Sequence, residues 1–230
     1  MATGIVPSPG RPGIGSAVSA QRLNVSRSGD LGYFAAGGVI EGTKSRDPGN
    51  SDNVLSLRPG LLMGKITSGG YYAPSIIGVT TAAYTSGDTT LTVSAAQAAY
   101  LNARVGASGT FKLVGPASAA GSNNTTTVTY SAINTTTGVI TVTNIGANRI
   151  AGCFVCPSDG SETILTFIPD GYNLLVPDDL SDINFPFIPV SGTVQTANII
   201  NYPSDTTLIT YVQQSLSTLA GGKFVFSSVF

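Results

Sequence analysis

Histidine is absent from the 230-residue chain, so two cysteines and one acidic cluster are what remains to suggest chemistry by type and spacing. The missing imidazole removes histidine-based triads, histidine acid–base work and nearly every catalytic zinc design. Cys153-Phe-Val-Cys156 has the CxxC spacing of redox and zinc motifs. A redox pair needs a helix N-terminus to lower its thiol pKa, and a zinc ribbon needs a second pair; the sequence offers neither. Strand positions three apart face opposite sides, so the two residues read as buried, unbridged, apolar thiols. Asp178, Asp179 and Asp182 have the oxygens a calcium ion takes but not the fixed ligand spacing of a calcium loop, and they read as a solvated turn. A glycosidase pair is set by the spatial separation of two carboxylates, and no pair is marked here. Gly13-Ile-Gly15 and Gly69-Gly70 lack the strand-to-helix setting and the following Lys-Ser/Thr of a phosphate loop. The triplets at Asn24, Asn123, Asn124 and Asn134 match the glycosylation pattern, which a threonine-rich chain meets by chance. The expectation is neither an enzyme nor a cofactor or metal protein.

The elements that carry these residues have an unusual surface chemistry. Charged residues make up 10% of the chain, against roughly 25% in an ordinary soluble domain, and the mean hydropathy is +0.24. Such a chain is expected to bury surface against partners. With 11 basic and 12 acidic side chains and no basic tract, nucleic acid and membrane surface are excluded as expected partners. No apolar run reaches the roughly 18 residues of a membrane span. The first residues, MATGIVPSPGRPGIG, place Pro and Gly where a secretory leader has its apolar stretch, which predicts synthesis in a cytoplasm without export by that route. Two cysteines are too few for a disulfide framework.

Residues 53–72, NVLSLRPGLLMGKITSGGYY, are the plainest structural signal. Two apolar runs flank Pro59-Gly60, which predicts a β-hairpin with its turn there. Gly64 interrupts the second run, where a bulge or a close backbone approach is expected. The segment GLLMGKI at residues 60–66 is similar to the LxxGTVLGxIT stretch of lambda-type bacteriophage head decoration (capsid cement) proteins. That family shows an Asp-Gly-Ser or Asp-Gly-Thr turn after its first hairpin, and Asp159-Gly160-Ser161 resembles it, displaced along the chain. Residues 79–150, dense in Thr, Ala, Asn and Gly, are read as the insertion responsible.

Within that insertion, residues 89–93 alternate as a strand. Ser94 and Gln97 have capping-box spacing for a short helix. Residues 108–114, 125–132 and 139–143 alternate as strands, the last two joined by a turn at 134–138. Further strands are expected at 151–157, 162–168, 172–176, 187–190 and 192–200. Ser204-Asp205 caps a helix whose Leu208, Val212, Leu216 and Leu219 share a face, and Gly221-Gly222 and a last strand follow. Residues 1–52, rich in Gly, Pro, Ser and Ala, read as an extended arm. Within it Leu31, Tyr33, Phe34, Val39 and Ile40 form a cluster suited to docking, and 38–41 could add to a strand edge of a partner.

The expected architecture is mainly β: a small β-barrel or sandwich-like decoration core (53–78 and 151–230) with two short helices, an inserted β-rich domain (79–150) and the N-terminal arm (1–52). No repeat of 20 to 50 residues indicates a solenoid. The resemblance implies a virion protein, made in the host cytoplasm, that forms a homotrimer on the outer surface of an assembled capsid. It would bind the major capsid protein at three-fold positions, with the arm cluster Leu31, Tyr33, Phe34, Val39 and Ile40 against the shell. The alternative is a fibre or adhesin-like β-domain that touches carbohydrate or a host surface through the insertion. Exposed Tyr84, Tyr100 and Tyr130 would mark it, because sugars stack on aromatic rings.

Overall fold

A computed structural model describes residues 31–34, 36–117, 123–170, 174–218 and 223–228. Its first strands are β1 (Gly32–Phe34), β2 (Gly38–Ile40), β3 (Ser56–Leu57), β4 (Leu62–Lys65), β5 (Tyr72–Pro74) and β6 (Gly78–Val79). The middle of the chain supplies β7 (Thr90–Thr92), helix α1 (Ala95–Val105), β8 (Gly109–Pro116), β9 (Asn123–Asn134) and β10 (Val139–Val142). There follow β11 (Phe154–Cys156), β12 (Ile164–Phe167), β13 (Leu174–Leu175), β14 (Ile183–Phe185), β15 (Ile188–Gln195), helix α2 (Thr206–Thr218) and β16 (Lys223–Ser227). The described residues are mainly β with two α-helices, as the patterning predicts, and the curled sheets form a half-barrel.

Three sheets and a ribbon share these strands. A five-stranded sheet has the order β12-β4-β5-β2-β14, a six-stranded sheet β6-β11-β8-β9-β10-β7, a three-stranded sheet β1-β15-β16, and β13 pairs with β3. Among the described residues, only β2 with β5 and β15 with β16 run parallel; the latter pair is joined through α2, the crossover a parallel pair requires.

Both helices start on the caps their sequences offer. The Ser94 hydroxyl accepts from the Gln97 N–H and the Gln97 side chain accepts from the Ser94 N–H, so α1 opens on a complete capping box. Such a cap contributes about 1 kcal/mol. At α2, Asp205 Oδ1 accepts from the N–H groups of Thr207 and Leu208. The β-branched residues of α2 oppose a helix, but Leu208, Val212 and Leu216, four apart, are completely buried, and that packing decides the conformation. Leu219 and Gly221-Gly222 lie outside the described residues.

The core has three parts. Ile77, Leu91, Leu101, Phe111, Val128 and Val155 belong to the cluster between the six-stranded sheet and α1. A second cluster gathers Leu62, Phe154, Phe167 and Phe224 around the apolar stripe of α2. A third holds Ile40, Leu57, Met63, Val176 and Phe185. Strand β11 and the residue before it divide the first two: Cys153 and Val155 face one, Phe154 and Cys156 the other, in the strict alternation of an extended segment buried on both faces.

Two expectations change. The turn at Pro59-Gly60 forms, with Leu61 N–H bonding Arg58 O and Gly60 at φ 84, but it does not close a hairpin. Strand β3 leaves it to pair with β13, while β4 pairs with β5 and β12. The hairpin is therefore β4–β5, turning through Gly69 and Gly70, both at positive φ. The second change concerns residues 31–52, expected as part of an arm. Strand β1 pairs with β15, and β2 is hydrogen-bonded on both sides, to β14 and β5, which leaves 38–41 no edge to offer a partner. Beyond β2, Asp47 is 1% exposed and receives the Arg58 guanidinium at 2.6 and 3.0 Å. Composition marks such a segment as apolar and β-capable; it does not say whether the sheet it joins is its own. Residues 1–30 lie outside the described residues.

The limits of 79–150 also fall inside a sheet: β6 and β11 continue the sheet that β7 to β10 build. At its inner end β8 is buried through consecutive residues, 113–116, because α2 covers the far face; at its outer end β9 alternates buried Val128 and Tyr130 with exposed threonines.

Candidate functional site

Residues 60–66 and the Asp159-Gly160-Ser161 turn are distant in sequence and adjacent in space. Thr67, just past β4, donates its N–H to the Asp159 carbonyl at 2.8 Å. Gly64 faces the same turn, and a side chain there would run into the carbonyl oxygens of Ser161 and Thr163. The predicted close backbone approach is therefore present. The irregular register lies on the partner strand β12, between Ile164 and Thr166. A glycine is required at 64 because backbone, which cannot step aside, occupies the space of its Cβ.

The Asp159-Gly160-Ser161 turn is built as its sequence suggests. Asp159 Oδ1 accepts from the Ser161 N–H at 3.1 Å and the Ser161 hydroxyl at 2.6 Å, and Gly160 sits at φ 103. Into this turn projects Arg104 from α1, with no exposed side-chain surface. Its Nη2 donates to Ser161 Oγ at 2.5 Å and to Asp159 Oδ2 at 3.3 Å; its Nη1 donates to Pro74 O at 2.6 Å and to Tyr100 Oη at 2.9 Å. The Tyr100 hydroxyl donates onward to Lys44 O at 2.8 Å. One guanidinium thus joins the segment after β2, the end of β5, α1 and the 159–161 turn. Burial pushes the Asp159 carboxyl up, but the Arg104 charge and the Ser161 and Arg104 hydrogen bonds together hold it below the usual carboxylate range. Arg104 was legible only as a helix residue; its position three after Leu101, on the apolar face, is the signal that marks it as inward-facing.

The five arm residues are separated by the fold. Ile40 is completely buried in the third core cluster and is corrected from docking to core residue. Val39 is half-buried in β2 opposite Asn184, and Leu31 packs against the cluster around α2. Tyr33 and Phe34 remain outward, 44% and 53% exposed. The Tyr33 ring meets Phe187 edge-on at 5.7 Å between centroids, and Phe187 is itself 43% exposed. The sequence marks Phe187 only as the start of a strand, since Pro186 and Pro189 break the alternation that would show it to face outward.

The remaining candidates for chemistry resolve into structure. Both cysteines are buried free thiols on opposite faces of the extended segment 153–156. Burial pushes the Cys153 thiol up to about 11 and raises that of Cys156 further. Asp182 Oδ1 accepts from the Gly42 N–H. Asp179 Oδ1 accepts from the Ser181 N–H, and hydrogen bonding to Ser181 holds the exposed Asp179 carboxyl below its ordinary value. Among the described residues no three His, Cys, Asp or Glu side chains are grouped as a metal site requires, and no helix is long and apolar enough to cross a membrane. Tyr84, Tyr100 and Tyr130 are 2%, 4% and 2% exposed, so they are core residues and not a sugar-stacking platform. Tyr130 lies on the inner face of β9, Tyr100 on the buried face of α1 and Tyr84 in an isolated bridge to Arg149, and all three belong to the first core cluster.

No model of a known protein family matches the chain, and neither comparison with curated proteins nor comparison with solved structures finds a match.

Proposed function

We propose that the protein is a structural virion protein that binds the outside of an assembled bacteriophage capsid as a trimer and cements its shell. The observation that carries this reading is the meeting of the GLLMGKI segment with the Asp-Gly-Ser turn. The resemblance requires the turn to follow the first hairpin, and the fold brings it back to β4 after the whole of 79–150 has intervened. Low charge and the outward aromatics Tyr33, Phe34 and Phe187 support the same reading, since a virion protein hides such surface against its neighbours.

The mechanism is mass action. Many copies that bind the assembled lattice and not its dissociated subunits each add binding free energy to the assembled state, so the shell resists heat and dissociation in proportion to occupancy. Strands and buried aliphatic side chains suit that task, because the work is to hold a shape rather than to turn over a substrate.

The test is to add purified protein to expanded heads that lack it and to follow co-sedimentation and the head's heat-disruption temperature. Binding that saturates, with a raised disruption temperature, is expected. Heads that neither retain the protein nor gain stability overturn the reading. Sedimentation velocity of the free protein checks the trimer separately: a monomer at micromolar concentration, with no trimer on the particle, overturns that part.

A further inference from the structure

We draw no further inference here: the strongest candidate, the exposed threonine-covered face of β7 to β10 with its shallow cavity over the β9–β10 turn, is an unpartnered sheet face, and nothing in the structure shows what covers it.

Discussion

The Arg104 guanidinium, wholly buried, lies 3.3 Å from the Asp159 carboxylate, and this pair joins the helix of the 79–150 segment to the turn that follows β11. Asp159 keeps some contact with water while Arg104 has none. The cost of burying the cation is offset by four hydrogen-bond acceptors: Pro74 O, Tyr100 Oη, Ser161 Oγ and the carboxylate itself. Both terminal nitrogens of this buried charge are engaged while its Nε has no partner, and the directed bonds specify where α1 sits, whatever their net contribution to stability.

Removing that charge should be costly. Arg104→Met is expected to destabilise the protein by about 3 kcal/mol, the low end for a broken buried pair, because the Asp159 side chain keeps 23% of its surface in solvent. Urea unfolding checks it, and a loss below ~1 kcal/mol would contradict the role given to the pair.

The same pair sets an acid dependence. Asp159 is depressed in the folded protein, so its contribution is fully present above the ordinary unfolded value of about 3.9. It is lost as pH falls through the lower folded value. The stability difference between the wild-type protein and Arg104→Met is therefore expected to shrink below about pH 4. A difference that stays constant from neutral pH into that range would contradict the assignment.

Gly64→Ala is expected to lower stability by about 1 to 3 kcal/mol, as overpacking does. The added methyl meets the backbone of Ser161 and Thr163 rather than a side chain that can rotate away. Thermal unfolding measures it; an unchanged midpoint would mean that the 159–161 turn is not seated on β4 as described.

Excision of 79–150 with Gly78 joined to Ala151 should not leave a folded remainder. It strips β8 from β11, uncovers Ile77, Cys153 and Val155, and removes both Val114 from the cluster around α2 and Arg104 from the turn. Circular dichroism and solubility of the excised protein check this; a cooperative transition in it would show that the sheet tolerates division at β11.

Truncation separates arm from core. Removing residues 2–45 takes away β1, β2 and the completely buried Ile40, and the product is expected to lose cooperative unfolding. Removing 2–30 alone spares every element described and is expected to keep it. A folded product from the longer truncation would contradict the place of β2 between β14 and β5.

Much of the fold was legible because local rules and global packing agree in it. The capping box at Ser94, the turn at 134–138, the opposite-facing cysteines and the apolar stripe of α2 all follow from spacing alone. What could not be read was partner choice. The Pro59-Gly60 turn was recognised, yet its flanking strands enter different pairings, since a hydrophobic pattern fixes which face is buried and not which strand lies alongside. Ile40 could not be told from Phe34 for the same reason: both are apolar, and only the tertiary fold buries one and leaves the other outside. Phe187 joins Tyr33 through long-range pairing of β1 with β15, which no local signal encodes.

The most direct test of capsid cementing is electron cryomicroscopy of heads incubated with the protein, compared with heads that never met it. The account predicts added density on the outer surface at three-fold positions, three copies of this fold to each, with Tyr33 and Phe34 turned toward the shell. Heads whose two maps are identical, or protein found only on a tail or fibre, would contradict it.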